Sequence, residues 1–572
     1  MKNLMLYLCL MIGIFAISCN DNFLQRPPLD EVTDLDYFKS PNDLKTYVNQ
    51  FYTSSMFIRY NNYGNDFNSD NEMDPTPDSR LQGTRTVSTS GSISFASVRS
   101  INYFFDHYQK VKEKHALEEY QQYLGEAYFF KAMIYFNLLR DYGAIQWLDT
   151  ELGTSSPELY NPRDPRNLVA DNIIKVLDSA ALYLTEEKTT GAGRVNKWMA
   201  LLIQSRVALY EGSWEKYHDG TPFGVPDAQP EKYFQKAVDA CQLIMASGLY
   251  DIYSTQRPEE DYKDLFSMRT YASNPEVMFW REYNNELSRG DISFTNDRNF
   301  RMEKPSGYTI TKQLADAYLC TDGKPISQSP LFEGREKLED EMKNRDPRFY
   351  QTIATPGEVW KIFPDGSKSY WNEVYDNLNT SADYNAPSGY LILKGYNPQL
   401  EYHVQQYEET PSIIYRYAEV LLNYAEAKAE LGQITQTDID ISINKLRDRV
   451  NMPHLTISSI SIDPNWNFPD LSPLINEIRR ERRVELALEG FRWDDIARWA
   501  AADELIVGQR PKGFKASQLK VNIYPVDENG FLDPFKNAIP DGYGFVLGRD
   551  YLNSIPESEI VLNPNLKQNP GW

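Results

Sequence analysis

Between Asp66 and Asp74 an oxygen-bearing side chain stands at every second position: Asp66, Asn68, Asp70, Glu72 and Asp74. Carboxylates and amides in that alternation open a calcium loop, where hard oxygens converge on one cation. The EF-hand template then breaks, because Asn71 replaces its glycine and Pro77 its twelfth-position glutamate. The reading taken is a solvated acidic loop, with no metal and no cofactor, and bound calcium is kept as the alternative.

The other reactive residue types form no constellation. Five histidines without ligand spacing make zinc an unattractive guess. There is no H-E-x-x-H, no G-x-S-x-G, no P-loop and no Rossmann glycine pattern. Gly191-Ala-Gly193 lacks a third glycine and follows no strand-like run. Paired carboxylates could hydrolyse glycosides, but among 81 acidic residues such pairs arise by chance. No enzymatic activity is expected.

Aromatic residues are far more plentiful than histidine: 39 Tyr, 27 Phe and 10 Trp. A flat ring packs on the C–H face of a sugar while Asp, Asn and Arg take the hydroxyls. Trp360, Trp371, Tyr283 and Tyr390 are the candidate platforms in one irregular stretch. Asp66, Asn68, Arg80 and Arg85, with Phe95 at the loop's exit, come from another. Each has a plainer alternative. Trp360 and Trp371 could be core, as Trp280 in its strand-like run is expected to be, and Arg80 and Arg85 could be solvated loop charges.

The elements that must position these residues are mainly α-helices in pairs. Apolar residues at helical spacing mark Tyr120–Tyr142, Asn167–Leu184, Lys197–Glu211, Glu231–Ser247 and Ile413–Leu431. Gly143, Gly212, Gly248 and Gly432 stand where these helices are expected to stop, and Asn196 is placed as an N-cap. Small residues at the contacts suggest tetratricopeptide-like stacking, although no strict repeat of ~34 residues survives. Val484, Ala487, Leu488 and Phe491 form an amphipathic stripe surrounded by arginines and glutamates three or four residues apart, with Gly490 permitting a stop or bend. Two stretches, 61–94 and 249–410, interrupt the helices with Asn, Pro, Gly and short strand-like runs. Non-helical excursions of such length are usually functional.

Glu481-Arg-Arg-Val-Glu-Leu-Ala-Leu-Glu-Gly-Phe-Arg-Trp-Asp-Asp-Ile-Ala-Arg-Trp499 resembles the E-R-R-x-E-L-x-x-E-G-x-R-x-x-D-L-x-R-W signature of the SusD/RagB family, with Ile496 as a conservative departure. Arg416-Tyr-Ala-Glu-Val-Leu-Leu-Asn-Tyr-Ala-Glu-Ala427 and Asn444-Lys-Leu-Arg-Asp-Arg449 are similar to two more of its motifs. So is the closing Ile555-Pro556 with Asn563-Pro-Asn-Leu-Lys-Gln-Asn-Pro-Gly-Trp572. The resemblance runs from Cys19 to Trp572. It implies one domain over 19–572: a right-handed superhelix of helical pairs at about 35–60, 95–248 and 411–500, ligand-face loops at about 61–94 and 249–410, and a tail over 501–572. In the family a tryptophan often stands near the place of Phe95.

The N-terminus speaks to location. Lys2 precedes an apolar run from Leu4 to Ile17 and then Ser18-Cys19, which fits a signal peptide over 1–18 with lipid attachment at Cys19. Ala16 stands where lipoboxes usually carry leucine. The remaining chain has a net charge of −23 against −22 for the whole, which argues against nucleic acid and against basic-patch membrane binding. After Cys19, only Cys241 and Cys320 remain, so at most one disulfide forms; Cys241 reads as a core residue.

The resemblance then implies a lipoprotein of the outer membrane, facing the exterior, that captures an oligosaccharide or polysaccharide for a TonB-dependent SusC-like transporter. A peptide-capturing lid of the RagB kind is the alternative, and a secreted glycoside hydrolase a distant third.

Overall fold

The computed structural model describes residues 37–53, 56–57, 65–88, 93–189, 193–288, 298–405 and 407–572. The signal segment 1–18, Cys19 and Gly191 lie outside the described residues. Among the described residues no helix is long and apolar enough to cross a membrane.

Two short helices, α1 (Pro41–Val48) and α2 (Ala96–His107), lean on the long α3 (Leu117–Tyr142). The chain then stacks α4 (Arg166–Tyr183), α5 (Lys197–Tyr217) and α6 (Pro230–Ala246), each packed on its predecessor. After a long excursion come α7 (Tyr417–Glu430), which packs on α6, and then α8 (Ile443–Arg449), α9 (Pro473–Glu485) and α10 (Arg492–Arg498). Local chemistry sets several of these ends. The Asn196 side chain accepts from the Trp198 and Met199 amides and starts α5. Gly143 closes α3 at φ 71°, a conformation that costs glycine little.

Gly212 behaves differently from expectation, since α5 continues through it to Tyr217. A Cβ there would meet the Phe234 ring at 3.0 Å and the Pro230 carbonyl oxygen at 3.1 Å. The missing side chain lets α5 and α6 approach; it does not end the helix. Phe130, Leu139, Ile173, Leu202, Leu421 and Ile443 lie in the continuous core of this stack.

The expected helix over 413–431 is two elements. Ser412–Arg416 is a strand that pairs antiparallel with Val277–Arg281, and α7 begins only at Tyr417. Labelled in chain order, the strands are β1 (Glu72–Met73), β2 (Val277–Arg281), β3 (Thr309–Ile310), β4 (Val359–Ile362), β5 (Lys368–Tyr370) and β6 (Ser412–Arg416). They pair β1 with β3, β2 with β6 and β4 with β5, in three two-stranded antiparallel sheets. The extended backbone at Arg416, φ −141° and ψ 153°, belongs to the strand rather than to a first helical turn.

Most of the buried apolar residues described in stretch 249–410 form a second core, in which Tyr262, Phe266, Phe349, Ile353, Trp371 and Leu393 are fully or almost fully buried, while Tyr250, Met278 and Phe279 join the first. Val484, Ala487 and Leu488 join this second core, while Ile478 and Leu486 belong to the first. The α9 segment is therefore the seam between the two. The helix stops at Glu485, earlier than the apolar stripe suggests, and Leu488 takes φ 66° in the turn that leads to α10.

Buried charge holds that seam. Glu485 accepts from Arg449 Nη2 at 2.6 and 2.7 Å, Arg416 Nη1 at 2.7 Å and Arg348 Nη1 at 3.0 Å. Glu481 takes Arg348 at 2.6 Å and Arg447 at 2.9 Å. Lys394 Nζ reaches Glu489 at 2.7 Å and the Ala487 carbonyl at 2.8 Å. Burial opposes ionisation of Glu485, but the three guanidiniums overcome it and hold the carboxyl far below the usual range. Deeper in the first core, Arg498 binds Glu426 in the same way, and that carboxyl is held down to about 2 against its burial.

Candidate functional site

Phe95 stands at the entrance to α2 and is half-buried. With Ile93, Val98, Leu148, Leu159 and Leu562 it lines an open cavity of about 500 Å³, within the size range of small-ligand sites. Helix α2 supplies Phe95 and Asn102, the connection between α3 and α4 supplies Gln146 and Tyr160, and the C-terminal helix Glu557–Leu562 closes the third side.

Polar groups interrupt this apolar lining. Asn102 Nδ2 donates to the Leu148 and Thr150 carbonyls at 2.9 and 3.0 Å, which fixes the amide and leaves its Oδ1 buried without a partner. Arg99 pairs with Glu151 at 2.8 Å in an exposed position. Arg163 donates to the Tyr142 and Ala144 carbonyls and to Asn569 Oδ1, tying the wall to the C-terminus. Burial pulls the Arg163 guanidinium down to about 10. Tyr160 is 54% exposed, so its ring can meet a ligand from outside. The arrangement can stack a sugar ring on the faces of Phe95 and Tyr160. Among the described residues that line the cavity, Glu559 is the one carboxylate.

The second aromatic candidate, Trp360, is half-buried on β4. The Lys361 ammonium lies 4.2 Å from the centre of its ring, and its indole Nε1 is buried without a partner. Phe363 and Tyr370 are exposed on the same hairpin.

Burial changes the standing of four other candidates. Trp371 is fully buried against Trp360 and Tyr396, so it presents no face to a ligand. Tyr390 is fully buried and donates its hydroxyl to Glu341 at 2.8 Å. Tyr283 is buried beside Arg281, with its hydroxyl 3.5 Å from Ser412 Oγ. Asp66 is buried as well: its carboxylate accepts from the Leu488 amide at 2.8 Å and the Gly490 amide at 3.1 Å.

The expected solvated acidic loop is thus a clasp on the seam. Asp70 binds Arg492 at 2.6 and 2.9 Å and Arg483 at 2.8 Å, and Glu72 accepts from the Asp66 amide. Among the described residues no group of three or more His, Cys, Asp or Glu is arranged to hold a metal ion. Asn68 is half-buried in the same turn.

Arg80 and Arg85 are neither solvated nor turned to the cavity. Arg80 lies 4.7 Å over Trp493 and donates to Asn553 at 2.8 Å. Arg85 pairs with Asp550 at 3.0 Å and lies 4.9 Å over Trp572. Cys241 and Cys320 are both buried and free.

The sequence singles out Phe95, which lines this cavity, but not Asn102, Gln146 or Tyr160, which line it too. The available signal was the unassigned connection between the helices ending at Tyr142 and beginning near Asn167.

Comparisons with known proteins agree with this architecture. The chain is 23% identical to a SusD-like protein, P38, of Formosa agariphila over 527 residues, covering 88% of this chain and 93% of that one. A SusD-like protein of Bacteroides fragilis superposes with a TM-score of 0.72 at 24% identity, covering 96% of this chain and all of the other. A SusD-like carbohydrate-binding protein of the same species gives 0.67 at 22% identity, with 93% and 99% covered. The profile of the SusD family matches residues 275–572, just over half of the chain. The chain belongs to the SusD family.

Proposed function

We propose that this protein captures an oligosaccharide at the cell surface, without catalysis, and passes it to a SusC-like TonB-dependent transporter in the outer membrane. Lipid on Cys19 tethers it there. The observation that carries this reading is the open cavity at Phe95, where the Phe95 and Tyr160 rings meet an apolar wall. A sugar offers matching chemistry, an apolar C–H face edged by hydroxyls. Membership of the SusD family and the carbohydrate-binding relative of similar fold support it.

The test is calorimetric titration of protein beginning after Cys19 with plant, host and microbial oligosaccharides and with a peptide mixture. One glycan class should saturate, and Phe95→Ala and Tyr160→Ala should each weaken it by roughly tenfold, about one lost stacking contact. Saturation by peptides alone replaces the glycan reading with the peptide-capturing one. Glycan binding indifferent to both substitutions removes this cavity from the proposal.

A further inference from the structure

A second cavity, of about 300 Å³, opens beside the first turns of α9 and has the opposite character. It is lined by Arg479, Arg483 and Arg492, by the amides of Asn465 and Asn467, and by Trp466. This concentration of guanidinium is unexpected in a chain of net charge −22.

The carboxylates that also line it are mostly engaged. Asp70 is shared between Arg483 and Arg492, Asp463 is paired with Arg480 at 2.6 Å, and Asp316 is held by Lys312 and Arg335, both at 2.5 Å. Glu504 stands at the rim, where partial desolvation and the neighbouring Asp503 push its carboxyl up to about 7. Burial and the neighbouring Arg492 in turn leave Arg483 lowered to about 10 despite Asp70.

Arg479 is the anomaly. It is 3% exposed, and its Nε and Nη2 are buried with no hydrogen-bond partner. Trp499, Phe468 and Tyr217 surround the guanidinium at 4.2, 4.6 and 4.7 Å. Its nearest carboxylate, Glu430, is 3.6 Å away and already takes Lys216 and Tyr217, each at 2.7 Å. A buried arginine normally spends its fork of donors on an acceptor. Here aromatic rings and Glu430 hold the cation at a cavity wall with Nε and Nη2 sealed inside, which leaves Nη1 as the nitrogen that can face a ligand.

We infer that this cavity is a binding site for a small oxyanion, carboxylate or sulfate, carried on a single acidic sugar unit. Arg479 meets the anion, and the Asn465 and Asn467 amides with the Trp466 ring suit the hydroxyls and C–H face of the ring that bears it. The volume, at the low end for ligand sites, fits one such unit rather than a chain. The site is separate from the Phe95 cavity, and its failure would leave the glycan-capture reading untouched.

Calorimetry with glucuronate, glucose and inorganic sulfate tests it. Glucuronate should bind at least tenfold more tightly than glucose, and Arg479→Gln should abolish the difference. Asn467→Asp, at an exposed position that folding tolerates, should weaken glucuronate by a similar factor by adding a like charge. Phe95→Ala should leave glucuronate binding unchanged. Equal binding of glucose and glucuronate, or glucuronate binding unaltered in Asn467→Asp and folded Arg479→Gln, overturns the inference. Sulfate binding as tightly as glucuronate overturns the sugar as the source of the anion.

Discussion

The core around Phe130, Leu202 and Leu421 is assembled from long helices that pack on their neighbours in sequence. The core around Tyr262, Trp371 and Tyr390 is assembled mainly from strands of two to five residues and helices of four to six between residues 262 and 413, and is completed by Val450, Met452, the end of α9 with the turn after it, Phe514 and Leu532. The first gains its order from consecutive apolar stripes. The second has little regular backbone, so bulky rings and buried polar contacts fix its arrangement, and Trp371 Nε1 and Tyr271 Oη are left without hydrogen-bond partners inside it. A stack of this kind tolerates local change, because each helix has two faces of support. The second core leans on a charged seam, and that is where the molecule is most easily broken.

Glu485→Ala is expected to have the largest effect, because it strips Arg348, Arg416 and Arg449 of a shared buried carboxylate. Removing one partner of a buried network typically costs about 3–5 kcal/mol. Urea denaturation measures it, and a loss below about 1 kcal/mol would mean that the seam does not couple the two cores.

Tyr390→Phe confines the damage to the second core by depriving buried Glu341 of a donor. The expected loss is about 1.5–3 kcal/mol, the scale of a hydrogen bond to a charged group. Near-ultraviolet and far-ultraviolet dichroism should both record it; transitions that separate would show the second core melting alone.

Lys394 provides a smaller, pH-dependent probe of the same seam. Burial lowers its ammonium to about 8 in spite of Glu489. An unfolded lysine keeps its proton to about 10.4, so between those values the unfolded chain binds more protons. This side chain therefore adds stability as pH rises through that window and opposes folding below it. Lys394→Met should flatten the rise by about 1–2 kcal/mol, read from urea midpoints at about pH 7.5 and 9.5. An unchanged slope would mean that Lys394 titrates as an ordinary lysine.

Phe95→Ala should change stability least, by under about 1 kcal/mol, because its ring is only half-buried at a cavity mouth. A larger loss would place Phe95 in the helical core rather than in the binding surface.

Much of the helical frame was legible because its signals are local. Asn196 caps, Gly143 stops, and the apolar spacing of α3 and α4 is that of a buried stripe. Gly212 was misread because its neighbour, Phe234, lies on another helix. Arg416 was placed in a helix because its partners Glu276, Glu485 and Glu489 are dispersed along the chain. The aromatics were the hardest to place. Nothing local separates Trp360, half-exposed on a hairpin, from Trp371, which turns inward immediately after the same hairpin.

The clasp of Asp66 on Leu488 spans 422 residues of chain. At about 5–20 residues per second, about 20–80 s of synthesis separate the two partners. For that interval Asp66 and Asp70 have no Arg492, no Leu488 amide and no seam. Until those partners arrive they are hydrated carboxylates. Completion of the first loop is thus timed by the last third of the polypeptide.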